Sequence, residues 1–167
     1  MFNIIGHCGG TAPDDASAFR RASVHRLLAA LALTLCTAWP AFAWELVGDR
    51  IETQLTLRNP SAAHGREIVS SRQIGLCVLC HNVPIPEATQ QGNVGPDLTG
   101  VGKRLSVPQL RARLVAPRQI NPDSKMPSYL KVDGLNRVNP MMRGSAIFNE
   151  QQIEDVVAYL ATLTDTP

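Results

Sequence analysis

Near the C-terminus the apolar positions Ile153, Val156, Val157, Leu160 and Leu163 recur at steps of three and four. That spacing puts them on one face of a helix. Asn149 stands where an N-cap belongs, and Gln152 occupies the reciprocal capping-box position. A second helix begins after Ser106, with Gln109 three residues on. Leu110, Leu114 and Val115 form its apolar face, and Pro117 follows its end. A further helix is expected from Ser61, just after Pro60. It would run through Ile68, Val69 and Ile74 into the stretch CVLCH. Residues 82–103 and 117–148 are rich in Pro and Gly and read as mostly irregular, and residues 44–60 form a mixed, non-periodic arm. No stretch alternates with the period of a strand, and no internal repeat is visible. The pattern predicts an all-α domain over residues 61–167, with three or four short helices and an extended N-terminal arm over 44–60. Irregular segments as long as these usually wrap something functional or are disordered.

Residues 1–43 change the picture of where the chain works. Arg20, Arg21 and Arg26 precede an apolar run over 27–39, which Pro40 breaks, and Ala-Phe-Ala follows at 41–43. A basic segment, a short apolar segment and a small-x-small site in that order predict a cleavable signal peptide, cut after Ala43. The run is shorter than the ~20 residues of a spanning helix, so no stable membrane span is expected. Residues 1–19 are long and polar for such a signal. The expectation is a start codon nearer the apolar run, with Val24 as a candidate. Ala22-Ser23 stands where the apolar follow-on of a twin-arginine signal would be, which favours ordinary secretion into the periplasm.

The formal charge of +2 is too small to argue for nucleic acid. Aromatic residues make up 5% of the chain, thin for a self-sufficient core, and a large apolar prosthetic group would fill that deficit. Of four cysteines, Cys8 and Cys36 fall in the predicted leader. Only Cys77 and Cys80 remain, in C-x-x-C-H with His81.

Three chemistries use a C-x-x-C core. A thioredoxin-like dithiol sits beside a βαβ pattern, which is missing here. A structural zinc site needs four ligands. Beyond the leader the chain has two cysteines and two histidines, with His64 a helix length away from His81. The third is covalent haem c. On one helical turn Cys77, Cys80 and His81 share a face, so two thiols can add to the vinyl groups of one haem edge while the histidine reaches the iron.

Haem iron in electron carriers often takes a Met opposite the His. Met126, in the loop sequence KMP, leads the candidates because an irregular loop can aim a side chain inward and Pro127 stiffens it. Met141 and Met142 are fallbacks, and His64 reads as a surface histidine. A ligating His usually passes its other ring N–H to a carbonyl. Pro96, in GPDLTGVG over 95–102, is the candidate carbonyl segment; an ordinary turn is the plainer alternative. A basic stretch over 103–118 carries Lys103, Arg104, Arg111, Arg113 and Arg118. Such runs are mostly solvated faces, though this one could guide an acidic redox partner or an anionic sulfur substrate.

Helix, C-x-x-C-H, G-P-D-L-x-G-V-G, K-M-P and a C-terminal V-A-Y-L helix occur in that order, and over residues 61–163 the chain resembles class I cytochrome c. It is similar in particular to the monohaem SoxX branch of the SoxAX cytochromes of bacterial thiosulfate oxidation. The segments that carry this are VGDRI (47–51), SSRQIGLCVLCH (70–81), GPDLTGVGKRL (95–105), LRARLVAPRQINPDSKMPSY (110–129) and EDVVAYLATL (154–163). The resemblance implies one haem c, with axial ligation by His81 and Met126. It implies a heterodimer with a SoxA-type dihaem or monohaem subunit, which holds the catalytic haem and a modified cysteine. That complex is an L-cysteine S-thiosulfotransferase, joining thiosulfate to a cysteine of the carrier SoxYZ. This chain would be its non-catalytic electron-transfer subunit, passing electrons to a soluble cytochrome c. A free-standing periplasmic shuttle is the alternative, and a sensor haem protein with an open iron position is a third.

Overall fold

The structure, a computed structural model, describes residues 44–165. The expected signal peptide, its cleavage point after Ala43, and Cys8 and Cys36 lie outside the described residues. Among the described residues no helix is long and apolar enough to cross a membrane.

Three helices carry the domain: α1 (Ala62–Ser70), α3 (Val107–Val115) and α5 (Glu150–Thr162). Two one-turn helices accompany them, α2 (Val101–Arg104) and α4 (Pro117–Ile120), together with 3-10 turns at Cys77–Leu79 and Pro140–Met142. The capping boxes read from the sequence form at both places. Ser106 pairs with Gln109 at the start of α3, and Asn149 with Gln152 at the start of α5. Each meets amide protons that the helix itself leaves without acceptors.

Helix α5 is the hub, with α1, α2 and α3 packed against it. Its Ile153, Val156, Val157 and Leu160 are buried against Ile68, Val69, Leu110, Leu114 and Val115. Each such side chain stabilises the fold by roughly 1.5–3 kcal/mol relative to exposure. The crossing of α1 over α5 is close. A Cβ on Gly65 would lie 1.9 Å from the carbonyl oxygen of Asp155, so only glycine fits there. Beside it, His64 Nδ1 is 2.7 Å from the Asp155 carboxylate, which also accepts from the Ser61 N–H at 2.7 Å. His64 therefore fastens α1 to α5 while half its side chain stays in solvent.

The arm over 44–60 has neither helix nor strand beyond an isolated bridge between Val47 and Arg50. It nevertheless enters the common core. Ile51 is fully buried, and its N–H donates to the Pro108 carbonyl at 3.1 Å. Beneath it lies a buried ion pair. Arg111 Nε and Nη2 reach the two Glu154 oxygens at 2.6 and 3.0 Å, and Arg111 Nη1 donates to the Ile51 carbonyl at 2.6 Å. Glu154 also accepts from the Leu55 N–H at 2.9 Å. These bonds stitch arm, α3 and α5 together.

Two sequence expectations need correction. Helix α1 stops at Ser70 instead of running into CVLCH. The Ser71 hydroxyl accepts from the N–H groups of Gln73 and Ile74, and Leu76 turns left-handed at φ 59°. Serine bonding to its own neighbourhood competes with the helix ladder and ends it. The basic stretch over 103–118 is not one face either. Arg111 is buried in the ion pair just described, and Arg104 donates to the carbonyls of Thr99 and Asp97. Arg113 lies 3.8 Å from Asp49. Lys103 and Arg118 remain exposed.

Candidate functional site

Cys77, Cys80 and His81 lie on one short turn of their own. The Cys80 N–H donates to the Cys77 carbonyl at 3.0 Å, and the His81 N–H donates to the same oxygen at 2.9 Å. The turn thus starts 3-10 and closes as one α-type turn, which sets the two sulfurs and the imidazole at i, i+3 and i+4. The cysteines are not joined to each other; Cys77 is buried and Cys80 exposed. Burial pushes the Cys77 thiol up to about 11, an effect that the neighbouring Tyr129 hydroxyl partly offsets. A thiol held so high is almost entirely protonated at neutral pH, a poor nucleophile for sulfur exchange.

The histidine is oriented by the loop predicted to do so. His81 Nδ1 lies 2.7 Å from the Pro96 carbonyl oxygen. A carbonyl can only accept, so Nδ1 carries the proton and Nε2 keeps its lone pair free. That is the tautomer a metal-ligating imidazole requires. The loop approaches so closely that a Cβ on Gly95 would sit 2.3 Å from the imidazole Cε1. Asp97 anchors the same loop, accepting from Asn82 Nδ2 at 2.6 Å and from the Thr99 N–H at 2.7 Å. Hydrogen bonds from Thr99 and Asn82 hold its carboxyl down at about 2.

Met126 is half-buried and packs against the core between two exposed residues, Lys125 and Pro127. Its N–H donates to Ser124 Oγ at 3.2 Å. Met141 is 90% exposed and Met142 49%, which leaves Met126 as the inward-facing methionine of the three. His64, the other alternative, is engaged with Asp155.

Two free thiols on one turn, an imidazole with its Nε2 lone pair available and a half-buried thioether are a donor set that fits haem c. Among the described residues, no three His, Cys, Asp or Glu side chains converge as a metal-ion cage. Ile74, Leu76 and Leu79 are partly exposed around the Cys77–His81 turn, an apolar border suited to a large flat cofactor. A groove of about 550 Å³ lies elsewhere, between the arm and the 130–150 segment. Glu150 is the one ionisable side chain among its lining residues, and none of Cys77, Cys80, His81 and Met126 reaches it.

Sequence reading overlooked two features. Arg111 counted only as part of the basic stretch and Glu154 was not singled out, although Glu154 falls beside Ile153 on the buried side of α5. Tyr129, three residues after Met126, went unread. It is 4% exposed, stacks on Phe148 at a 4.6 Å centroid distance, and donates its hydroxyl to the Gly75 carbonyl at 3.1 Å.

Residues 62–164 match the cytochrome c family. Among solved structures the chain is similar to the crystal structure of SoxXA from P. pantotrophus. The identity is 33% and the TM-score 0.67, with 73% of this chain and 95% of that chain covered. No curated protein matches it. The all-helical fold is that of a class I cytochrome c, and the chain belongs to the cytochrome c family, as a SoxX-type cytochrome with covalently bound haem.

Proposed function

We propose that this chain is the monohaem electron-transfer subunit of a periplasmic SoxAX-type L-cysteine S-thiosulfotransferase. The observation that carries it is the hydrogen bond from His81 Nδ1–H to the Pro96 carbonyl, which frees Nε2 beside two unpaired cysteines on the same turn. Likeness to the SoxXA structure supports the assignment to sulfur oxidation. Cys77 and Cys80 would hold the haem through thioethers, and His81 and Met126 would ligate its iron. Bound haem supplies a one-electron couple.

The residues of this chain do the rest. Pro96 O keeps the proton on Nδ1, and the 95–100 loop holds the imidazole plane. Joining thiosulfate to a cysteine of the SoxYZ carrier forms an S–S bond and releases a proton and two electrons. With both cysteines committed to thioethers, this chain has no thiol beyond its predicted leader for that step. A SoxA-type partner would carry out the conjugation, and this chain would relay electrons one at a time to a soluble cytochrome c.

One observation favours the alternative of a free-standing shuttle. The 44–60 arm is bonded to its own α3 and α5 through Arg111 and Glu154, so much of it is engaged within the subunit. Purification from the native periplasm decides between them. The subunit reading expects a second cytochrome to copurify and thiosulfate-dependent reduction of this haem in the complex. A chain that purifies alone, and is not reduced by thiosulfate with added partner and carrier, supports the shuttle. Met126→Ala is expected to abolish the ferric sulfur-to-iron charge-transfer band and lower the redox potential. An unchanged spectrum would assign the distal position to another group.

A further inference from the structure

We propose that Tyr129 is a positioning residue that ties the Met126 loop to the haem-attachment turn and so holds the Met126 sulfur on the iron. The inference rests on the reading of Met126 as distal ligand.

Four contacts fix Tyr129. Its N–H donates to the Leu114 carbonyl at 3.0 Å, and its own carbonyl accepts from the Phe148 N–H at 2.9 Å. Its ring stacks on Phe148, with 19° between the planes. Its hydroxyl donates to Gly75 O at 3.1 Å. The neighbouring Ser128 hydroxyl donates to the Val115 carbonyl at 2.5 Å. The segment just after Met126 is therefore pinned to the end of α3 on one side and to the residue two before Cys77 on the other.

The Gly75 contact is the one that joins the two halves of the site, 54 residues apart in sequence. Gly75 sits where the chain needs holding, between the Ser71 turn and left-handed Leu76, a conformation that non-glycine residues adopt at a cost. Its carbonyl also accepts from the Cys77 thiol at 3.4 Å. Thioether formation removes that thiol hydrogen. In the loaded protein Tyr129 is then the remaining side-chain donor of the pair, and the attachment turn depends on it more than the free chain does. A net hydrogen bond of ordinary strength shifts an equilibrium by about three- to tenfold.

The test uses the haem-loaded chain and its Tyr129→Phe variant, titrated in the ferric state with imidazole, which competes with methionine for the iron. Tyr129→Phe is expected to keep its covalent haem and to bind imidazole about three- to tenfold more tightly. Ser61→Ala, which weakens the cap of α1 far from both loops, serves as a comparison and is expected to leave imidazole affinity unchanged. Wild-type affinity in Tyr129→Phe overturns the proposal, and so does an equal gain in Ser61→Ala, which would make the effect one of global stability. Absence of the sulfur-to-iron band from the wild type overturns the Met126 reading itself, a separate and visible failure. If Tyr129→Phe does not load haem, Phe148→Leu carries the test. It keeps the hydroxyl and loosens the ring, so a smaller gain is expected, and no gain overturns the proposal.

Discussion

The arm-and-helix side of the domain and its loop-built side solve the burial problem differently. On the first, α1, α3, α5 and the arm close on one another. Apolar side chains meet apolar side chains, Gly65 lets two backbones touch, and the buried charges of Arg111 and Glu154 satisfy each other and the arm. On the second, the chain from 71 to 100 and from 121 to 148 is held by turns. Leu76, Gln90 and Arg137 have positive φ, and Ile74, Leu76, Leu79 and Val94 remain partly exposed. The two sides share one core, to which the second contributes Val78, Val83, Ile85, Tyr129 and Phe148. The second side alone leaves an apolar rim beside the turn that carries Cys77 and Cys80.

The largest expected effect breaks that second side. Replacing both cysteines (Cys77→Ala with Cys80→Ala) should abolish haem that survives denaturing electrophoresis. It should also lower protease resistance across residues 71–148 before α5 is affected, as mapped by mass spectrometry of limited digests. Uniform loss over the whole domain would mean that the helical side is not self-sufficient.

The next prediction breaks the first side alone. Glu154→Ala leaves Arg111 buried without its carboxylate, and removing one partner of such a pair costs about 3–5 kcal/mol. Denaturant unfolding should show this loss, and residues 44–60 should become the first site of cleavage. An arm that stays protected would put its anchoring elsewhere.

The pH dependence gives a smaller test. Burial raises the Asp155 carboxyl, but hydrogen bonds from the Ser61 N–H, His64 and Gln151 outweigh it and hold the group below its ordinary 3.8. A lowered folded value means stabilisation present above the unfolded value and lost as the pH falls through the folded one. Wild type should therefore lose stability below about pH 4. Asp155→Asn should be weaker at pH 6 and flatter between pH 4 and 2, as read from urea midpoints.

Asn149→Ala is the mildest change. Loss of the cap on α5 should cost about 1 kcal/mol, with the haem spectrum of the loaded protein unchanged. A changed spectrum would show that the two sides are coupled through Phe148, the residue before the cap and the stacking partner of Tyr129.

Legibility in the sequence follows the same division. The faces of α3 and α5 and both capping boxes were readable because they depend on neighbours three and four residues away. The C-x-x-C-H turn was readable for the same reason, and so was Pro96 as a candidate partner for His81, since a Gly/Pro loop close behind the motif narrows the choice. The end of α1 was not, because Ser71, Gly75 and Leu76 compete with a helix whose apolar spacing continues through Ile74. Nor was the fate of the basic stretch. Arg111 and Arg113 are two residues apart, yet one is buried against Glu154 and the other stands near Asp49 at the surface.

The sequence by itself determined the helical class, the caps, the C-x-x-C-H turn and the family resemblance, all carried by short-range spacing and residue chemistry. Only the tertiary structure decided that the arm belongs to the core, that Met126 and not Met141 faces inward, and that Tyr129 bridges to Gly75. Those outcomes depend on contacts between residues 54 to 99 positions apart or on which side of a loop is buried, and no local periodicity encodes either.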